Sequence, residues 1–154
     1  MNYRQKTLLR NIIFVFFFTA LMVTALISIR NSVNKSEAIR SMELIGREAL
    51  AYRKNYGSLP PEKHIKTVSE NIHAVRLANI EYRARWIKFG DNPETTILAY
   101  ARKKYGGLTK PGYVVLFLDG RVNWLGISEF EEMLKKQQQK IEIEFLQKKL
   151  QQNL

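Results

Sequence analysis

The 154-residue chain has no cysteine. Disulfides, thiolate metal sites and cysteine nucleophiles are thereby excluded together, while the compartment stays open, because a cysteine-free domain is tolerated on either side of a membrane. Histidine is nearly absent as well. His64 and His73 are the only two, and their spacing fits no common metal motif. The chain also lacks a nucleophile elbow, a phosphate-cradling glycine loop of the usual spacing and a helical His/Glu metal pair. Gly106-Gly107 reads as a loop pair. Asp119 alone has the chemistry of a catalytic acid, but an Asp before a Gly already has a turn to make. Functional sites need several cooperating groups, so the reading is of a non-enzymatic protein with no cofactor and no metal. Acidic residues and glycines are missing, finally, before and within the first apolar run.

That run dominates what is present. Ile12 to Ile29 (IIFVFFFTALMVTALISI) carries no charge and lies between Arg10 and Arg30. At ~1.5 Å per helical residue it reaches ~27 Å, about the thickness of a bilayer's hydrocarbon core. A cleaved secretory signal is the competing reading, with Arg4, Lys6 and Arg10 as a basic leader and Val23-Thr24-Ala25 as a small-residue cleavage site. The apolar run continues past Ala25 through Leu26, Ile27 and Ile29, which suits a retained anchor better. Phe14, Phe16, Phe17 and Phe18 argue against a buried core helix, because a small domain cannot cover them on every side.

The 25 Lys and Arg against 14 Asp and Glu give a net charge of +11. This favours anionic partners such as phospholipid headgroups, nucleic acid or acidic polymers. Near the span the balance is even, with Arg4, Lys6 and Arg10 facing Arg30, Lys35 and Arg40. The amino terminus adds charge to the first group, and long domains are exported largely regardless of charge, so the expected orientation is N-terminus inside, domain outside.

After a short basic segment (1–11) and the span (12–29), residues 30–57 read as an amphipathic continuation. Ala38, Met42, Ile45, Ala49, Tyr52 and Tyr56 recur at alternating four and three residues, on one stripe of a helix. Gly57 is a natural cap, and Leu59-Pro60-Pro61 cannot extend the helix. The two halves form one rod of about 45 residues and ~68 Å. Alternatively the rod breaks near Asn31, Ser32 or Asn34, which are good N-cap residues. Residues 58–134 form the head, about the size of one small domain. Pro60 or Pro61 opens a short helix before Ala78. Ile80 to Phe89 alternates as a half-buried strand, with Tyr82, Ala84 and Trp86 inward. Its Arg83 and Arg85 then form the solvated face, so no nucleic acid is expected despite the interleaved aromatics. Thr96 to Arg102 reads as a second strand.

Tyr113 to Leu125 (YVVLFLDGRVNWL) places two apolar runs around Asp119-Gly120, a pair favoured at left-handed positions of a tight hairpin turn. Ser128 and Glu131 form a capping box for a helix from Glu129, with Phe130, Met133 and Leu134 inward. The Lys/Gln-rich tail, 135–154, is a solvated or partner-binding helix with Ile143, Leu146 and Leu150 as its stripe. The expected fold is α+β: a membrane-spanning stem helix, three or four antiparallel strands on its outer half, and a C-terminal helix.

The span running into a helix that closes in Tyr56-Gly57-Ser58-Leu59-Pro60-Pro61, followed by a small antiparallel sheet, resembles a type IV pilin or type II secretion pseudopilin. Val114 to Leu125 followed by Ser128-Glu129-Phe130 is similar to the C-terminal segment of such proteins, with Asp119, Gly120, Arg121 and Trp124 in the places of the Asp-Gly, the basic residue and the aromatic. Gly46 to Pro61 looks like the end of a pilin stem. The resemblance implies an inner-membrane, single-pass envelope protein acting through protein contacts, possessing neither the Gly nor the Glu that direct leader cleavage and stem stacking. Its partners are then the lipid bilayer and other proteins, such as those of a secretion or pilus-assembly machinery. A membrane-tethered basic adaptor for anionic lipid or an acidic partner is the alternative, and a membrane-bound enzyme comes last. Mass spectrometry of the native N-terminus separates anchor from signal: a retained anchor gives no start at Leu26, whereas a start there marks a secreted domain.

Overall fold

The computed structural model describes residues 3–72, 77, 79–88, 90–105 and 109–152, with residues 144–152 described by their backbone alone. His73, Ala78, Phe89 and Gly106-Gly107 lie outside the described residues, as do the side chains of Leu146 and Leu150. The architecture is α+β. Helix α1 (Tyr3–Tyr56) is followed by α2 (Glu62–Asn71), strands β1 (Glu81–Tyr82), β2 (Ile97–Lys103), β3 (Gly112–Phe117) and β4 (Val122–Gly126), and helix α3 (Ile127–Gln152). The strands form one antiparallel sheet in the order β1-β2-β3-β4.

Helix α1 runs unbroken for 54 residues, about 81 Å at ~1.5 Å per residue. The alternative break near Asn31 does not occur. Asn31 is 7% exposed and part of the packed stem rather than a cap. At the far end Gly57 adopts φ +70° and its N–H donates to the Arg53 carbonyl at 2.9 Å. This left-handed cap stops the helix where an L side chain is strained.

The outer half of α1 buries Ala38, Met42, Ile45, Gly46 and Ala49. They pack with Leu98, Ala99, Ala101, Val114, Leu116 and Leu118 on one face of the sheet. The stripe does not stay buried to its end. Tyr52 is half-buried and Tyr56 is 69% exposed, because the sheet stops short of the last turn. Tyr52 instead contacts the rings of Tyr56 at 4.4 Å and of His64 on α2 at 5.0 Å.

The opposite face of the sheet is covered as well. Ile97, Val115, Phe117 and Leu125 pack with Phe130 of α3, flanked by Tyr100, Tyr113, Met133 and Leu134. A sheet between two helical layers needs apolar residues on both faces, which accounts for the continuous run from Val114 to Leu118. In β2 the register shifts between Ile97 and Ala99. This bulge puts the consecutive Leu98 and Ala99 in the same stem-facing cluster, as an extra strand residue does.

Three expectations are corrected by the backbone. The strand expected over 80–89 pairs only at Glu81 and Tyr82. Arg83 N–H donates to Leu98 O, and the chain then coils into a 3-10 turn, Ala84–Trp86, leaving Trp86 51% exposed. Its partner β2 begins at Ile97, so beyond Arg83 there is little strand left to pair with. The hairpin loop has three residues, Leu118, Asp119 and Gly120, between Phe117 and Arg121, whose N–H and C=O meet at 2.9 Å. Only Gly120, at φ +92°, is left-handed. Helix α3 starts at Ile127, so Ser128 lies inside its first turn rather than capping it.

Met42 is fully buried between stem and sheet whereas Tyr56 stands mostly in the open. Met42→Ala is therefore expected to cost about 2–5 kcal/mol and Tyr56→Ala less than about 1 kcal/mol, measured by unfolding of the full chain in detergent.

Candidate functional site

The first half of α1 presents bare apolar surface. No residue of its most apolar 18-residue window is buried, and by length and composition it can cross a membrane. Phe14, Phe16, Phe17 and Phe18 all point outward. The hydroxyls of Thr19 and Thr24 donate to the carbonyls of Val15 and Ala20, both at 2.8 Å. The helical backbone and the inward bonds of these two hydroxyls suit the segment to hydrocarbon, where an unsatisfied polar group is costly.

Asp119, Gly120 and Arg121 sit at the far tip of the β3–β4 hairpin. Asp119 accepts from the Arg121 backbone N–H at 2.9 Å and from its guanidinium. The Arg121 guanidinium also donates to the Glu94 carbonyl at 2.9 Å and lies 5.6 Å from the Phe117 ring. The backbone N–H groups of Asp119 and Leu118 donate to the Pro93 and Thr96 carbonyls. The Asp119 and Phe117 contacts of Arg121 hold the tip itself, and the bonds to Pro93, Glu94 and Thr96 tie it to the 93–96 turn. Burial pushes the Asp119 carboxyl up, but hydrogen bonds and charge from Arg121 outweigh it and hold the group below its ordinary value.

Trp124 lies at the middle of β4, two residues before Gly126. Lys35 of the stem places its Nζ 4.5 Å from the centre of the Trp124 ring, and Tyr105 stacks on the same ring at 5.7 Å. The four head residues singled out by sequence are thus not one constellation. Asp119, Gly120 and Arg121 lock the hairpin tip, while Trp124 joins the stem to the β2–β3 connection.

A cleft of about 490 Å³ opens beyond the tip, with Leu59, Pro60, Ile87 and Leu118 as apolar walls and Arg53 and Lys88 among its polar residues. Tyr82 lines it and donates its hydroxyl to the Pro60 carbonyl at 2.9 Å. Burial pushes this phenol well up from its usual range. The neighbouring Arg85 is paired to Glu62 at 3.1 Å.

Comparison with family models, curated proteins and solved structures finds no match for the chain. Function must therefore be argued from the geometry alone. Among the described residues no group of three or more His, Cys, Asp or Glu side chains is placed to hold a metal ion.

Sequence reasoning missed two sets of contacts. Gln137, assigned to the solvated tail, accepts from the Ile97 N–H at 3.1 Å and donates to the Ile97 carbonyl at 3.5 Å. Lys140 reaches Asp91 at 3.2 Å. The start of the tail is therefore docked on the head. The Lys35–Trp124 pairing was equally invisible, because it joins segments far apart in the chain.

The lowered Asp119 carboxyl sets the sign of a pH effect. Its contribution to stability is complete above the ordinary Asp value of about 3.9 and is lost as pH falls through the lower folded value. Asp119→Asn keeps an acceptor for the Arg121 N–H but removes the charge. The variant should be less stable than the parent at pH 7, with the difference shrinking as denaturation is measured below about pH 4.

Proposed function

We propose that the chain is a non-catalytic, membrane-anchored envelope protein of pilin-like or pseudopilin-like build that works through protein contacts. The observation that supports this reading is the single helix whose first half is exposed and apolar while its second half lies under an antiparallel sheet. Such a build holds a rigid head at a set height above a bilayer. It offers partners the exposed flank of the stem around Leu44. The span carries no carboxylate or glycine, so the reading is of a tethered head on an inner membrane, with the head on the outer side, and not of a stacked filament stem.

Orientation is the most exposed part of the proposal. An export-dependent reporter fused after Leu154 should be active, and a reporter active only in the cytoplasm would sink the envelope reading. Because the parent chain has no cysteine, a single Leu44→Cys variant then gives a unique site for cross-linking neighbours on the stem.

A further inference from the structure

We propose that the end of the head nearest the span is a binding surface for acidic phospholipid headgroups. The claim rests on the span lying in a bilayer and not on the pilin likeness, so a cytoplasmic head would leave it standing. Asn31, two residues after the span, is already buried. Two residues are about 3 Å of helix, and the headgroup layer is about 5–8 Å deep on each side of the hydrocarbon. Packed protein therefore begins within the headgroup layer itself.

The register identifies what is brought down to that level. Lys103 pairs with Gly112 and Gly112 with Gly126, so the end of β2, the start of β3 and the start of α3 share one end of the sheet. Lys35 over Trp124, whose ring also stacks with Tyr105, fixes that end against the stem about 9 Å beyond Ile29. Exposed Arg30, Arg102, Lys104 and Lys110 gather around it, with Lys103 half-buried. Glu37 and Glu129 are acidic side chains at this end, with Glu81, Glu131 and Glu132 set further back, and the six basic residues Arg30, Lys35, Arg102, Lys103, Lys104 and Lys110 outnumber them. Basic side chains beside an aromatic pair at headgroup depth match the two features that favour an anionic interface. The chain's +11 charge is thus partly concentrated where a negative surface potential is strongest.

The full chain carrying Trp86→Phe, which leaves Trp124 as its only tryptophan, provides the test. It is reconstituted in vesicles containing roughly a third acidic phospholipid, and Trp124 quenching is compared between trace lipids spin-labelled at the headgroup, one acidic and one zwitterionic. The acidic label should quench at least about threefold more efficiently at low salt, with the preference fading as salt rises. Lys103→Glu/Lys104→Glu/Lys110→Glu should abolish the preference. Arg53→Glu/Lys54→Glu/Arg85→Glu, the same charge change at the far end, should retain it. Equal quenching by the two labels, or equal loss in both triple variants, overturns the proposal. A chain that fails to float with the vesicles overturns the span reading and this inference together.

Discussion

The head's position depends on a close approach between stem and hairpin. A Cβ on Gly46 would stand 2.7 Å from Leu116 Cδ1, and one on Gly120 would stand 2.5 Å from Leu50 Cδ1. Two glycines on facing elements let a helix surface sink against a hairpin, with Leu116 and Leu50 filling the space each glycine vacates. Ala38 and Ala49 extend this shallow surface along the stem. Small residues here do what large ones cannot: they bring the sheet near enough for Met42 and Ile45 to be enclosed completely. Glycine at position 120 is thus needed twice, for the left-handed turn and for the contact.

Once that face is closed, the opposite face of the sheet needs its own cover, and α3 supplies it. The stacking of Tyr113 on Phe130 at 3.8 Å anchors its start. Gln137 then satisfies both backbone groups of Ile97, near the opposite end of the sheet. Helix α3 therefore runs in the same sense as the stem, away from the span, and its Lys/Gln-rich end is carried outward. The basic residues of the tail and those near the span are consequently held at opposite ends of the head.

Local signals in the sequence were legible where one segment sufficed to make the structure. The Asp119-Gly120 hairpin, the Gly57 stop and the Ala38 to Ala49 stripe each rest on neighbours within a turn or two. Alternation over Ile80 to Trp86 misled because period alone does not reveal whether a partner strand is present. The run from Val114 to Leu118 concealed its second buried face for a related reason. Continuous hydrophobicity records that both sides are covered but not by what. Gln137 was unreadable because a polar side chain that docks through hydrogen bonds leaves no apolar period. Trp124 was visible as an aromatic in a strand, while its pairing with Lys35 exists only after the sheet has folded onto the stem.

The unbroken passage through Arg30 to Asn34 is what turns these contacts into a functional arrangement. A capped break there would make the head a separate body on a hinge, free to sample many heights and tilts. Asn31 instead contributes to the packed stem, and the helix enters the head without a change of element. The same rod is exposed and apolar over its first half and covered by the sheet over its second, and the transition takes place over Ile29 to Lys35. Any tilt of the span must tilt the head with it, because few soft backbone torsions intervene. Whatever constrains the apolar half therefore constrains the head, and whatever turns the head turns the apolar half. Rigid coupling of this kind follows from helix continuity itself and does not require that either end change its internal structure.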